Sequence, residues 1–207
     1  MRYSLVVILI EFGGHFMPKI ILASSSVQRK ALLEELGLSF EIVVSNVDET
    51  PNEELSLTEQ LNDISMRKAM AVMNMVKETE DHIIVAADQN IFFDGVMYGK
   101  PETIEEARQI IKNMQGSNEI YAYVGNTVLY ISNSTVLKCI NKSDIARFRM
   151  DYISDEELEN YLATGSPLSK CAGINITSTP GLHLEDGKLC TARGMTVEFL
   201  IDMLSQI

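Results

Sequence analysis

Residues 19–33 read Lys19-Ile20-Ile21-Leu22-Ala23-Ser24-Ser25-Ser26-Val27-Gln28-Arg29-Lys30-Ala31-Leu32-Leu33. Lys19 to Ala23 is a short, apolar, β-rich run and predicts a buried strand. Three small hydroxyl residues follow. From Val27 to Leu36 the apolar residues Val27, Leu32, Leu33 and Leu36 recur at helical spacing, and Gly37 supplies a stop. A helix start presents unpaired backbone N–H groups and the positive end of its dipole. With serine hydroxyls and the planar cation of Arg29 beside it, such a turn can hold a phosphate. Read alone, the same residues are also an ordinary Ser N-cap. Neither a Walker A loop nor a G-x-G-x-x-G pattern is present.

Outward from that segment, strands and helices alternate. Phe40 to Val44 predicts a second strand and Leu57 to about Thr79 a long helix with apolar Leu61, Ile64, Met70, Met73 and Val76. His82 to Ala87 is a β-rich run expected to end abruptly at Asp88. Thr103-Ile104-Glu105-Glu106 and Ser154-Asp155-Glu156-Glu157 read as capping boxes opening helices to Met114 and Ala163. Tyr121 to Leu137 reads as a hairpin turning at Ser132-Asn133-Ser134. Gly165 to Gly187 reads largely as loop with short strands, and Gly194 to Leu204 as a closing helix. Helices alternating with strands, interrupted by an antiparallel element, predict a mixed α/β sheet.

The chain has 207 residues, 46% hydrophobic and 22% charged, a globular balance without a disordered or repeated segment. Its net charge of −12 is a poor match to DNA or RNA, whose binding is driven by Lys and Arg at phosphates, so a nucleic acid polymer is not expected as a partner. A small anion needs only a local cationic pocket. Cys139, Cys171 and Cys190 are odd in number and widely spaced, which fits neither a disulfide framework nor a structural zinc site and points to a reducing cytoplasm. Tyr3 to Ile10 is apolar but too short to span a bilayer, and no small-residue cleavage site follows it. Because the first strand begins directly after Met17, residues 1–16 are expected to be an upstream extension and 17–207 the domain proper.

Several residues could carry chemistry. Asp88, expected at a strand's C-terminal end, stands where ligands bind in open α/β sheets; its carboxylate can hold Mg²⁺ or take a proton from water, and it can equally start a turn. Asp48-Glu49 offers a second carboxylate source, although acidic pairs in loops are usually only solvated. Lys100, held beside Pro101, could reach a phosphate as a point charge, and Lys68 and Lys170 share that possibility with the ordinary fate of surface lysines. His15, His82 and His183 lack ligand spacing, and no Ser-His-Asp or Cys-His set is evident.

In order, these segments resemble the Maf family of nucleoside triphosphate pyrophosphatases, from about Lys19 to Leu204. The resemblance rests on Leu22-Ala23-Ser24-Ser25-Ser26 with Arg29, on Val47-Asp48-Glu49, Lys68-Ala69, Ala87-Asp88-Gln89, Gly99-Lys100-Pro101, Ile153-Ser154-Asp155-Glu156-Glu157-Leu158 and Gly165-Ser166-Pro167-Leu168. It implies an elongated α/β molecule with a mixed sheet, flanking helices and a cleft between two lobes, often a homodimer. It implies a divalent metal, Mg²⁺ or Mn²⁺, held by Asp88 and Glu49, with Asp88 as catalytic acid–base and Glu49 helping to hold the metal or the attacking water. Ser24, Ser26, Arg29, Lys68 and Lys100 would bind the triphosphate, and Gln28, Gln89, Thr177 and Ser178 would stand where the family selects its base. The implied reaction converts a nucleoside triphosphate, standard or modified, to monophosphate and pyrophosphate in the cytoplasm, with no membrane partner.

The chain departs from the family pattern. Val27 replaces the usual Pro, Gln28 the usual Arg or Trp, and Tyr123-Val124-Gly125 the usual T-G-V. Thr177 or Ser178 stands at the late Gln or Glu, and Cys190 to Thr196 at the usual N-x-x-G-L-P. Gln89 and Lys170-Cys171-Ala172-Gly173 lean toward the 7-methyl-GTP branch, while Gln28 matches neither that branch nor the dTTP/UTP one. These departures leave a second reading, a nucleotide-binding or regulatory protein with weak or lost catalysis.

Overall fold

The computed structural model describes residues 18–76 and 80–207. The expected upstream extension, residues 1–16, lies outside the described residues. Strands β1 (Lys19–Leu22), β2 (Phe40–Ile42), β3 (His82–Phe93), β4 (Val96–Tyr98), β5 (Ile120–Ser132), β6 (Thr135–Met150) and β7 (Leu182–Asp186) form a mixed sheet. Its order is β2-β1-β3-β5-β6-β7, with β4 paired to β3. The helices are α1 (Val27–Glu35), α2 (Leu57–Met73), α3 (Ile104–Met114), α4 (Asp155–Ala163), α5 (Leu189–Ala192) and α6 (Glu198–Leu204). The mixed α/β class expected from the sequence is what forms. Among the described residues, no helix is long and apolar enough to cross a membrane.

The chain divides into two units. The first comprises Met1–Asp88, Gly125–Ser143 and Met195–Ile207, the second Gln89–Val124 and Asp144–Gly194. Strands β3, β5 and β6 contribute residues to both. In the first unit β1 pairs parallel with β2 and with β3, in register from Lys19 with His82 to Leu22 with Val85. Strands in parallel pairs are covered on both faces and read as continuous apolar runs. Ile20, Ile21, Leu22, Ile83 and Ile84 are each at most 2% exposed, and each such side chain contributes roughly 1.5–3 kcal/mol on burial. Ile21, Ala23, Ile84 and Ala86 pack with Ala69 and Val72 of α2 and with Leu129 and Ile131 of β5.

The contact between α2 and β5 is unusually close. A Cβ at Gly125 would overlap the Leu61 carbonyl group and crowd the Asn62 nitrogen at 2.5 Å. Beside it Ser65 Oγ and Thr127 Oγ1 lie 2.8 Å apart, and Asn141 Nδ2 donates to Thr127 Oγ1 at 2.7 Å and to the Asn62 carbonyl at 3.0 Å. α2 is therefore fixed by a glycine contact and a buried polar cluster as well as by apolar packing. Its first turn carries a capping box that the sequence reading missed, in which the Glu59 carboxylate accepts from the Ser56 backbone N–H at 2.9 Å.

In the second unit Ala107, Ile110, Ile111 and Met114 of α3, Leu158, Tyr161 and Leu162 of α4, and Ile120, Ala122 and Phe148 of the sheet form one apolar cluster. The Ser154 capping box is present as expected. The one at Thr103 is half formed: Thr103 Oγ1 caps the Glu106 N–H at 3.1 Å, but the Glu106 carboxylate accepts from the Glu102 N–H instead.

One correction bears on the site. β3 does not stop at Asp88; it continues to Phe93 and folds back through Asp94-Gly95 into β4, with Phe93 paired to Val96. Asp94 and Gly95 have φ of 49° and 78°, the left-handed pair that a two-residue hairpin turn requires. The polar pair Asp88-Gln89 masked the continuation, although Ile91-Phe92-Phe93 followed by Asp-Gly is a strong hairpin signal. β6 likewise runs on to Met150, well past the expected end near Leu137.

Candidate active site

The serine loop follows β1 directly. Ser24 is buried, and its Oγ accepts two hydrogen bonds, from the Ser26 N–H at 3.1 Å and from Arg29 Nη1 at 3.2 Å. Both bonds use the oxygen's lone pairs, which leaves the hydroxyl proton to donate. Ser26 is the N-cap of α1, accepting from the Arg29 N–H at 3.5 Å. Arg29 Nη1 also donates to the Ala87 carbonyl at 2.7 Å. The helix start is thus tied to β3 at the residue before Asp88.

β1 ends at Leu22, opposite Val85, so Asp88 lies three residues beyond the last residue of β3 that faces this parallel neighbour. It sits inside a strand and still clears the end of β1, where the serine loop leaves. Lys68, from the middle of α2, donates through Nζ to Asp88 Oδ1 at 2.7 Å and to Glu49 Oε2 at 2.8 Å. The Lys68 and Asp88 side chains are 10% and 14% exposed, while Glu49 is 56% exposed. One ammonium is thus shared by two carboxylates, one nearly buried and one facing solvent.

The loop carrying Glu49 is held from below. Arg67 Nη2 donates to the Thr50 carbonyl at 2.9 Å and Nη1 to the Asp48 carbonyl, while Nε pairs with Asp63. Asp48 turns inward on its own loop: its Oδ1 accepts from the Thr50 N–H at 2.9 Å and hydroxyl at 2.6 Å, and these bonds hold its carboxyl below the ordinary value. Of the pair Asp48-Glu49, Glu49 is the one that meets Lys68. Sequence reasoning missed Arg67. Its i,i+4 partner Asp63 is visible on the helix, but its reach to main-chain oxygens some twenty residues away leaves no sequence pattern.

Ser24, Ser26, Arg29, Glu49, Lys68 and Asp88 all belong to the first unit, and the bonds above link them. Gln28 is half-buried in the first turn of α1 and makes no side-chain hydrogen bond among the described residues. The other expected residues belong to the second unit. The Gln89 carbonyl accepts from the Cys171 thiol at 3.0 Å. Lys100 is exposed just after β4, and the Gly99 carbonyl accepts from the Ala172 N–H at 2.7 Å. This brings Lys170 near Lys100; burial, and then the Lys100 charge, push the Lys170 ammonium below its ordinary value. Thr177 and Ser178 are exposed on a self-bonded loop, where Thr177 donates to Asn175 Oδ1 through N–H at 3.0 Å and through hydroxyl at 2.9 Å. Ser178 also lines an open pocket of about 440 Å³ with Tyr161, Ser166 and Pro180.

The Asp88–Glu49 pair fits a divalent cation. Each carboxylate has one oxygen on Lys68 and, among the described residues, no hydrogen bond on the other. Among the described residues, no three His, Cys, Asp or Glu side chains gather into a closed cage. A pair of carboxylates suits Mg²⁺, which keeps several waters and takes one or two carboxylates plus substrate phosphates.

The chain is similar to known proteins over most of its length. The sequence profile of the Maf-like protein family matches residues 19–207. A dTTP/UTP pyrophosphatase of Clostridium beijerinckii is 35% identical over 192 residues, 91% of this chain and 99% of the relative. One of Bdellovibrio bacteriovorus is 32% identical over 193 residues, covering 91% and 98%. One of Methanococcoides burtonii is 34% identical over 170 residues, covering 82% and 84%. The chain belongs to the Maf family. These relatives are named for dTTP and UTP, so the leaning toward the 7-methyl-GTP branch, drawn from Gln89 and Lys170 to Gly173, finds no support among them.

Proposed function

Taking membership of the Maf family as premise, we propose that the protein hydrolyses dTTP or UTP to the nucleoside monophosphate and pyrophosphate. The observation that carries the reading is Lys68 Nζ between Glu49 and Asp88, with Asp88 on the strand that Arg29 ties to the serine loop. The relatives, named as dTTP/UTP pyrophosphatases, support the substrate class.

In this reading Asp88 accepts a proton from the attacking water. The water oxygen bonds to the α-phosphorus, the bridging bond to the β-phosphate breaks, and its electrons leave with pyrophosphate. Ser24 donates its hydroxyl proton and Arg29 its guanidinium to phosphate oxygens, beside the N–H groups of the α1 start. Ser26 keeps that helix start in place. Glu49 and Asp88 would hold the divalent metal, which would supply charge neutralisation at the phosphates. Lys100 is assigned to the phosphates, and Gln28, Gln89, Thr177 and Ser178 to the base, on the family resemblance.

A substrate panel scored by pyrophosphate release with Mg²⁺ or Mn²⁺ tests the proposal. Highest kcat/KM on dTTP or UTP is expected. Turnover confined to 7-methyl-GTP would overturn the substrate assignment, and nucleotide binding without turnover on any member would favour the regulatory reading.

A further inference from the structure

We infer that Lys68 holds the two metal-binding carboxylates when no ligand is bound and is drawn off them on binding, so that the divalent cation and the triphosphate enter together. This rests on the metal and substrate reading above. Lys68 Nζ lies 2.7 Å from Asp88 Oδ1 and 2.8 Å from Glu49 Oε2, the two side chains that fit the metal. A +1 ammonium and a +2 cation compete for the same pair of carboxylates, and they repel each other at short range. Backbone retreat is closed to Lys68: it lies inside a 17-residue helix whose neighbouring turns are fixed by Gly125 against Leu61 and by the Ser65–Thr127–Asn141 cluster. Its four-carbon arm can only pivot, and a buried ammonium that leaves its carboxylates needs another anion. A triphosphate oxygen is such an anion.

The exchange makes the two ligands cooperative. Metal alone must strip Lys68 of its partners without replacing them. Metal with triphosphate gives each cation a counter-ion: the carboxylates hold the metal and Lys68 holds a phosphate oxygen. By linkage, each ligand then raises the affinity for the other by the same factor. Lys68 is in this sense a positioning residue for the metal as well as a phosphate ligand.

The test uses the whole chain without nucleotide. Mn²⁺ binding is read by paramagnetic resonance in the wild type and in Lys68→Met, which keeps the length and apolar stem of the side chain. The variant is expected to bind free Mn²⁺ about tenfold more tightly, within the usual range of coupling between sites. Equal or weaker binding by a variant whose circular dichroism matches the wild type overturns the inference. A second measurement needs no variant. The Lys68 side-chain resonance in wild-type protein is expected to shift when Mg²⁺ and inorganic tripolyphosphate are added together. A resonance that stays in place with both bound overturns the inference as well. Pyrophosphate release from dTTP is measured separately: its absence, with tighter Mn²⁺ binding by the variant, would count against the proposed activity and leave the exchange standing.

Discussion

Arg29 Nη1 stands 2.7 Å from the carbonyl oxygen of Ala87, and the same nitrogen stands 3.2 Å from Ser24 Oγ. One guanidinium thereby sets the spacing between the serine loop and the strand residue preceding Asp88. Replacing Arg29 by Ala is expected to lower kcat/KM for pyrophosphate release by about a hundredfold, because a charged phosphate contact and this spacing are lost together. Arg29→Lys is expected to restore little, since a single ammonium cannot reproduce the fork. Steady-state kinetics on the best substrate of the panel check both.

Asp88→Asn retains shape and removes the base and the negative charge. A fall in kcat of about a hundredfold or more is expected, with the circular dichroism unchanged. A variant that kept its turnover would remove Asp88 from the chemistry.

Gly125→Ala introduces a Cβ where the Leu61 carbonyl stands. Neither backbone has room to yield within a packed interior, so a loss of about 3 kcal/mol is expected from denaturant unfolding. The same methyl displaces α2, the helix bearing Lys68, so kcat is expected to fall along with stability.

Asp144 links the start of the second unit's share of β6 to α5, accepting from Lys188 Nζ at 2.7 Å and Thr191 Oγ1 at 2.9 Å. Burial pushes its carboxyl up, but the bonds from Lys188, Thr191 and the Ile145 N–H, together with the Lys188 charge, outweigh this, and the net shift is below the ordinary 3.8. A carboxyl with a depressed folded value contributes stability that is present above the ordinary value and lost as pH falls through the depressed one. Asp144→Asn is therefore expected to be less stable than the wild type at pH 7, by about 1 kcal/mol or less for a group that remains partly solvated. The gap is expected to close in acid below 3.8. Thermal melts of both proteins across that range check the sign.

The sequence made much of this visible because the informative features are local. An apolar run followed by serines and a helical pattern marks β1, the loop and α1 without reference to the rest of the chain. Ser154 with Glu157 marks α4 in the same way. Asp88 was legible as a residue but misplaced as an element, since a polar pair inside β3 imitates a strand end. Least legible were the long-range bonds. Nothing near Arg67 announces the carbonyls of Asp48 and Thr50, and nothing near Gly125 announces Leu61. Lys68 was visible as a candidate cation, but its place between two carboxylates depends on three segments meeting, which only the fold decides.

Arg67 holds the Glu49 loop through two main-chain oxygens, at Asp48 and Thr50. A carbonyl is the same whatever side chain is attached to it, so this grip is indifferent to residue identity and sensitive to residue count. Asp48 adds a side-chain brace of its own through Thr50, so the grip ignores residue identity only outside this pair. A one-residue insertion or deletion between Asp48 and Thr50 would change the span between the two held carbonyls and so move Glu49 away from Lys68. Within this otherwise irregular stretch, the number of residues therefore sets where Glu49 stands more strictly than their spelling does.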